Sequence, residues 1–418
     1  MEDGQLLSFM NSGIYRFQGA NAFFLDPVRV LNRSYTRYKV SPCAYYTRFF
    51  DSTEKLETFL EPRKRKRKEK KKPLSLNERE KVADQRHQEV KPFLLKAHEA
   101  LLGTTELLKA VRNLRRNESS VEELKQLPHQ SCEHSFSDLG SVWQAPLYEI
   151  VLNYQEDDSF IENEGSRHGR HFKQDVVPVF DNLIVNKGSG DVEAEFLNHK
   201  YIIPKDSCFY MSDVRKIHNL IPVDSNGGFN IIVIDPPWEN SSAHQKRRYQ
   251  TLPNRTFLSL PIKKLTHTAG ALVALWVTNR EKLRSFVENE LFPSWGVTYV
   301  ASLYWLKVKL NGLLISELDL FHHRPYECLL LGYSGGKDST SDLLKLNDIP
   351  DNQVLMSVPG DYSRKPPVGE LLREYVSGTQ HARCIELFSR ELSAGWTSWG
   401  NEPLLFQASK YFCQEADK

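Results

Sequence analysis

A doubly wound α/β sheet, preceded by a mainly helical and partly disordered N-terminal region, is the fold class this sequence predicts. Three observations predict it. From about residue 200, short apolar runs of the buried-strand kind alternate with amphipathic helical stretches. Those runs are apolar nearly throughout, as strands covered on both faces are, and do not alternate apolar with polar. Before residue 200 that alternation is missing, and charge blocks and polar stretches interrupt the chain.

Residues 1–60 are rich in aromatics (Phe23, Phe24, Tyr45, Tyr46, Phe49, Phe50) but show no helical or strand period, which predicts partial order at most. The run at 63–72 (RKRKRKEKKK) holds nine basic residues and one acid between Pro62 and Pro73. Such blocks repel themselves and stay solvated, so it reads as a linker. Its functional reading is a nuclear-localisation signal or a nucleic-acid tether, which predicts a nuclear protein, with cytosol and mitochondrion as alternative compartments. The chain carries +2 overall and this run +8, which leaves −6 on the remainder. A nucleic acid would therefore have to be held by local basic patches.

Pro92 suits a first helical position and Gly103 a stop, which predicts a helix between them. A second helix is predicted from about 105 to 116, with Leu107, Leu108, Val111 and Leu114 as its buried stripe. Lys109, Arg112, Arg115 and Arg116 crowd its last turns, where cations complement the helix C-terminus. Residues 156–173 read as a mobile polar loop. Farther on, 229–234 (FNIIVI) and 271–277 (ALVALWV) are strands. A helix follows at 281–291, with Leu283, Phe286, Val287 and Leu291 on one face. Further strands are expected near 297–308, 326–332, 353–358 and 384–388. Between the last two lies a helix with Val368, Leu371, Leu372, Tyr375 and Val376 on one side, stopped by Gly378. The organisation expected is 1–80 partly disordered, 81–199 an accessory and mainly helical recognition region, 200–411 a catalytic domain and 412–418 a tail.

No stretch reaches the roughly 18 uninterrupted apolar residues of a membrane span. The first residues (MEDG) lack the basic start and apolar stretch of a secretory signal. Six cysteines are scattered with no CxxC pair, which argues against a zinc module and a disulfide scaffold and fits a reducing compartment. No membrane and no metal is therefore expected. Nothing in the sequence specifies a protein partner, and a monomer is the default.

The chemistry points to Asp235-Pro236-Pro237-Trp238, directly after the 229–234 strand. In doubly wound sheets ligands sit beyond the carboxyl ends of strands. Two successive prolines remove two backbone donors and fix the chain direction. Their carbonyls are expected to face outward as acceptors. An aromatic exocyclic amine is a poor nucleophile, because its lone pair is delocalised. Accepting its two N–H groups at the Asp235 carboxylate and the Pro236 carbonyl would free that lone pair and stabilise developing positive charge. Trp238 would offer a π-face to a base.

These residues and their flanks resemble the methyltransferase-like (METTL-type) family of adenine-N6 methyltransferases, whose hallmark is a strand ending in DPPW. The resemblance covers about 200–411. It is carried further by Asp213-Val214-Arg215, Tyr249–Leu252 (YQTL), Trp276–Arg280 (WVTNR), Tyr326-Glu327-Cys328, Ser363–Pro366 (SRKP), Cys384–Arg390 (CIELFSR) and Trp396–Asn401 (WTSWGN). It implies a Rossmann-like methyltransferase sheet and S-adenosyl-L-methionine as cofactor. It further implies that Asp235, Pro236, Pro237 and Trp238 hold the adenine, with Tyr249 and Glu327 lining the acceptor pocket. Asp213 and Val214 would contact the cofactor's adenine. Lys365 would neutralise its carboxylate, while Arg390 and Asn401 would bond its ribose. Lys246, Arg247 and Arg248 would clamp substrate phosphates. Glu402 departs from the family's messenger-RNA enzymes, which have Gln there. The resemblance favours RNA as substrate, at 2′-O-methyladenosine in small nuclear RNA, with DNA adenine as the alternative.

One competing motif, Ser334–Ser339 (SGGKDS), reads like the phosphate-cradling loop of ATP-dependent adenylating enzymes. That fold needs its loop near the start of a long domain, and here only about 80 residues follow, so a surface turn is expected.

Overall fold

A computed structural model describes residues 2–47, 77–115, 135–155, 172–223, 227–239, 251–320, 323–335, 345–346, 349–377 and 382–414. Its centre is an eleven-stranded mixed sheet. Numbered along the chain within that sheet, the strands are β1 (Ile14–Arg16), β2 (Ala22–Leu25), β3 (Leu183–Asn186) and β4 (Ser207–Met211). They continue as β5 (Ile231–Ile234), β6 (Ala271–Val277), β7 (Val297–Lys307) and β8 (Tyr326–Ser334). The last are β9 (Gln353–Ser357), β10 (Cys384–Leu387) and β11 (Trp396–Gly400). Their spatial order is β1-β2-β9-β7-β8-β6-β5-β10-β11-β4-β3.

Strands β1, β3 and β8 run against the rest. The predicted doubly wound α/β sheet is thus present, with antiparallel edges and one antiparallel strand inside. All seven residues of β6 and all four of β5 are buried, as their unbroken apolar sequences require. From β5 the chain moves outward to β6, and it later returns on the other side of β5 at β10. That reversal opens a crevice beyond the carboxyl end of β5. Because β8 is antiparallel, its first residues lie at this same edge and its last ones at the opposite edge.

Part of the N-terminal region is regular. Residues 2–47 form helices and strands, and β2 extends the main sheet by pairing in parallel with β9. Local period was absent because the aromatics there meet distant partners: Phe24 and Tyr45 are fully buried in the main core. The basic run and most of the rest of 1–80 lie outside the described residues.

The described part of the accessory region adds strands to its helices. Glu149–Gln155, Phe172–Pro178, Val192–Phe196 and His199–Ile203 form a separate four-stranded antiparallel sheet, while β3 joins the main one. Its helix begins fourteen positions before Pro92 and spans Glu78–Gly103. Asn77 and Glu80 form a capping box at its start. His87, Val90, Leu94, Ala97 and Leu101 bury one stripe, and that packing outweighs the cost of the internal proline, about 3 kcal/mol. The second helix, Thr105–Arg112, buries Leu107, Leu108 and Val111 as predicted. Among the described residues no helix is long and apolar enough to cross a membrane.

Candidate active site

The site is assembled by the edge at which β5, β7, β9 and β10 end and β8 begins. Asp235 follows β5, Lys307 closes β7, Glu327 is the second residue of β8, Lys365 follows β9 and Arg390 follows β10. These five residues come from distant parts of the sequence and form one chain of charge. Lys365 Nζ lies 3.1 Å from Asp235 Oδ1 and 3.2 Å from Glu327 Oε2. Lys307 pairs with the other oxygen of Glu327. Arg390 Nη2 donates to Asp235 Oδ2 at 3.4 Å and also holds the backbone carbonyl of Ser363. Ser363 is a non-glycine residue at φ +65°, a strained conformation that its surroundings must enforce.

Partial burial makes these charges interdependent. Burial opposes ionisation of Glu327, yet the ammoniums of Lys307 and Lys365 outweigh it and hold the carboxyl at about 2. Burial likewise works against the Lys365 ammonium, but Asp235 and Glu327 overcome it and raise its pKa. Glu386 behaves in the opposite way. Burial, then the negative charges of Asp235 and Glu391, push its carboxyl up to about 8 despite Arg390 nearby. A cleft beside these groups is lined by Asp235, Lys365, Glu386, Phe388 and Arg390, with Trp276 forming part of its wall.

The Asp235–Trp238 turn is held from several sides. Asp235 N–H donates to Leu387 O on β10 at 3.2 Å. The two proline carbonyls are not wholly free as expected. Pro236 O accepts Trp238 N–H at 2.7 Å, and Pro237 O accepts Leu252 N–H at 3.0 Å. Each keeps a second lone pair. Trp238 also departs from expectation, since it is only 7% exposed and presents no open face to a base. Its Nε1 donates to Trp276 O at 2.8 Å, and its ring meets Phe257 edge-on. The tryptophan buttresses the turn.

The residues expected at the cofactor's adenosine end are less convergent. Asp213 follows β4 at the same edge, but its carboxylate caps its own turn, accepting Arg215 N–H at 3.0 Å and Arg215 Nε–H at 2.7 Å. Val214 packs against the main core. Asn401 follows β11 and donates to Ser137 Oγ at 2.5 Å. Arg390 is engaged with Asp235 and Ser363, and Glu402 sits close enough for Arg390 to oppose the rise that burial imposes on its carboxyl. Tyr249, Lys246, Arg247 and Arg248 lie outside the described residues.

Sequence reasoning passed over Lys307 and Glu386. A signal existed for each: both are charged residues set within otherwise apolar strands, at or near the carboxyl end. The competing SGGKDS motif begins at Ser334, the last residue of β8 and fully buried, where its Oγ meets Thr266 Oγ1 at 2.9 Å. At about 3.4 Å per residue, Ser334 is roughly 25 Å from the Glu327 end of that strand. Residues 336–339 lie outside the described residues.

Comparison with known proteins covers the segment in which this site lies. The MT-A70 family model matches residues 229–402. The N(6)-adenine-specific methyltransferase METTL4 of Mus musculus is 41% identical over 236 residues, covering 55% of this chain and 49% of the mouse protein. The DNA N6-methyl methyltransferase of Caenorhabditis elegans is 34% identical over 222 residues, 51% of this chain and 56% of the worm protein. The N6-methyladenosine RNA methyltransferase MTA1 of Pyricularia oryzae is 31% identical over 217 residues, 50% of this chain and 55% of the fungal protein. This chain spans about half the length of these curated relatives.

Proposed function

From a chain that carries an MT-A70 match over residues 229–402, we infer an S-adenosyl-L-methionine-dependent methyltransferase acting on the N6 amine of adenine in a nucleic acid. The observation that carries this reading is the placement of Asp235. It stands at the carboxyl end of the central strand β5, with Lys365 on one oxygen and Arg390 on the other.

The cleft residues fit the cofactor. S-adenosyl-L-methionine supplies a methyl group already activated on a sulfonium, so no protein nucleophile is needed. Lys365 uses two of its three donors on Asp235 and Glu327 and has a third for a carboxylate. Asp235 gives the same cleft the negative character that suits a sulfonium and an ammonium.

Toward the substrate, Asp235 is the principal acceptor. A carboxylate offers about four acceptor positions, and two are taken here, which leaves room for an amine N–H. The spare lone pair of Pro236 O takes the second. Both acceptors are fixed before the reaction, so they stabilise the charge developing on nitrogen without reorganising. Trp238 keeps the turn in place from below. Tyr249 and the cations Lys246, Arg247 and Arg248 would complete the acceptor side.

The substrate we favour is single-stranded RNA, at 2′-O-methyladenosine of small nuclear RNA. A target base must leave its stack, at a cost of a few kcal/mol that is smallest in single strands. A pocket shaped to the extra methyl would gain about 0.8 kcal/mol, roughly fourfold. The test offers labelled cofactor and four oligonucleotides of one sequence, followed by nucleoside mass spectrometry. The order expected is 2′-O-methyladenosine RNA, plain RNA, single-stranded DNA, duplex DNA. The Asp235→Ala protein should transfer nothing while keeping its fold. Duplex DNA outrunning both RNAs would transfer the assignment to DNA, and near-normal turnover by Asp235→Ala would refute the mechanism.

A further inference from the structure

Arg364, the neighbour of Lys365, is 3% exposed and lies outside the chain of charge around Asp235. Its guanidinium forms a two-point pair with the carboxylate of Glu391, the neighbour of Arg390. The loops carrying Lys365 and Arg390 are therefore locked to each other one residue away from the groups that grip Asp235. Arg390 adds a second tie by holding the Ser363 carbonyl.

Three aromatic rings surround the Arg364 guanidinium. Its carbon lies 4.1 Å from the centre of the Tyr45 ring, 4.3 Å from Phe406 and 5.8 Å from Tyr411. Arg364 Nη1 is buried and has no hydrogen-bond acceptor among the described residues, so rings are what it meets. Asp361, at the start of the same loop, is held from the same two directions. Thr47 Oγ1 donates to one of its oxygens at 2.6 Å and Tyr411 Oη to the other at 3.5 Å. Phe406 N–H bonds Arg390 O at 3.0 Å, and Ser41 N–H bonds Tyr411 O at 2.8 Å. Residues 41–47 and 404–411 thus close on one loop from opposite ends of the sequence.

We propose that Arg364 is a positioning residue, and that residues 41–47 and 404–411 act through it and Asp361 to fix Lys365 and Arg390 on Asp235. A bidentate pair within an aromatic cage sets orientation as well as charge, which a lysine in the same place could not do. The inference rests on the functional reading above for its link to the cofactor, although the clamp itself is a statement about Lys365.

The test measures calorimetric affinity of the full chain for S-adenosylhomocysteine in Arg364→Lys and Glu391→Gln, each alone and combined with Lys365→Ala. Each single change should weaken binding about tenfold, and neither should add to the loss caused by Lys365→Ala, since the effect passes through that ammonium. Circular dichroism verifies folding. A second readout needs no cofactor: the rate at which Lys365 is reductively dimethylated, followed by mass spectrometry, should rise in Arg364→Lys. Additive losses, or wild-type affinity and labelling in a folded Arg364→Lys protein, would overturn the proposal. If that variant does not fold, Thr47→Val, which removes one hydrogen bond to Asp361, takes its place in the same comparison. Wild-type protein binding no S-adenosylhomocysteine would refute the functional reading alone, and the labelling rate would then decide the clamp.

Discussion

At the scale of residues, the site is a balance between partly buried charges, and each member is legible through its neighbours. Lys365 neutralises two carboxylates and has one donor to offer. Lys365→Ala should weaken cofactor affinity by about 1.5–3 kcal/mol, the range for a hydrogen bond to a charged group, and unchanged calorimetric affinity would remove it from the site. Glu386 makes a pH prediction whose direction follows from linkage. Its carboxyl titrates near 4.5 in a free chain and is raised to about 8 in the fold, chiefly by burial and then by Asp235 and Glu391. The stability it contributes is complete below the lower value and is lost as the pH climbs through the higher one. Melting temperature should therefore fall from pH 4.5 to 8 in the wild type, and the fall should be shallower in Glu386→Gln. Glu327 acts in the opposite sense, because its carboxyl is held at about 2, and weakens the fold only as the pH drops below 4.5.

At the scale of elements, sequence patterning succeeded where burial is continuous. β5 and β6 are buried on both faces, and their unbroken apolar runs announced it. The strands at β7, β8, β9 and β10 fall where alternation with helices placed them. Patterning failed where a distant partner decides the outcome. Phe24 and Tyr45 look aperiodic because each meets a partner far away in sequence, and Pro92 masks a helix whose stripe at 87, 90, 94, 97 and 101 was readable. Asp235 was legible from its motif, whereas Glu386 offered only a charge in an apolar strand until β10 stood beside β5. One turn carries an element-scale prediction. Gly228, which leads into β5, has φ +113°, and a Cβ there would stand 2.6 Å from the backbone of His267. Neither the conformation nor the contact can relax cheaply, so Gly228→Ala should cost at least about 2 kcal/mol in chemical unfolding. A loss under half that would mean the turn adjusts.

At the scale of the whole molecule, the sheet does not end where the family match does. The match covers 229–402, yet β1, β2, β3 and β4 all precede it and complete the sheet on both sides. The Tyr38–Val40 strand pairs with Phe412–Gln414, joining two segments that lie beyond the match in opposite directions. The basic run at 63–72, outside the described residues, is proposed as the signal that takes this assembly to the nucleus. Deleting it should move a fluorescent fusion to the cytoplasm while the purified protein still methylates short oligonucleotides. Unaltered nuclear fluorescence would leave the run as a linker.

The grip of residues 404–411 on the loop that carries Lys365 also sets an order in time. A ribosome makes Asp235, then Lys365, then Arg390, and only later Phe406 and Tyr411. Until those last rings emerge, Arg364 lacks two of the three faces that enclose it. The last strand of the sheet, β11 at Trp396–Gly400, is made only a few residues before those rings, so the sheet and the clamp on the Lys365 loop are completed almost together.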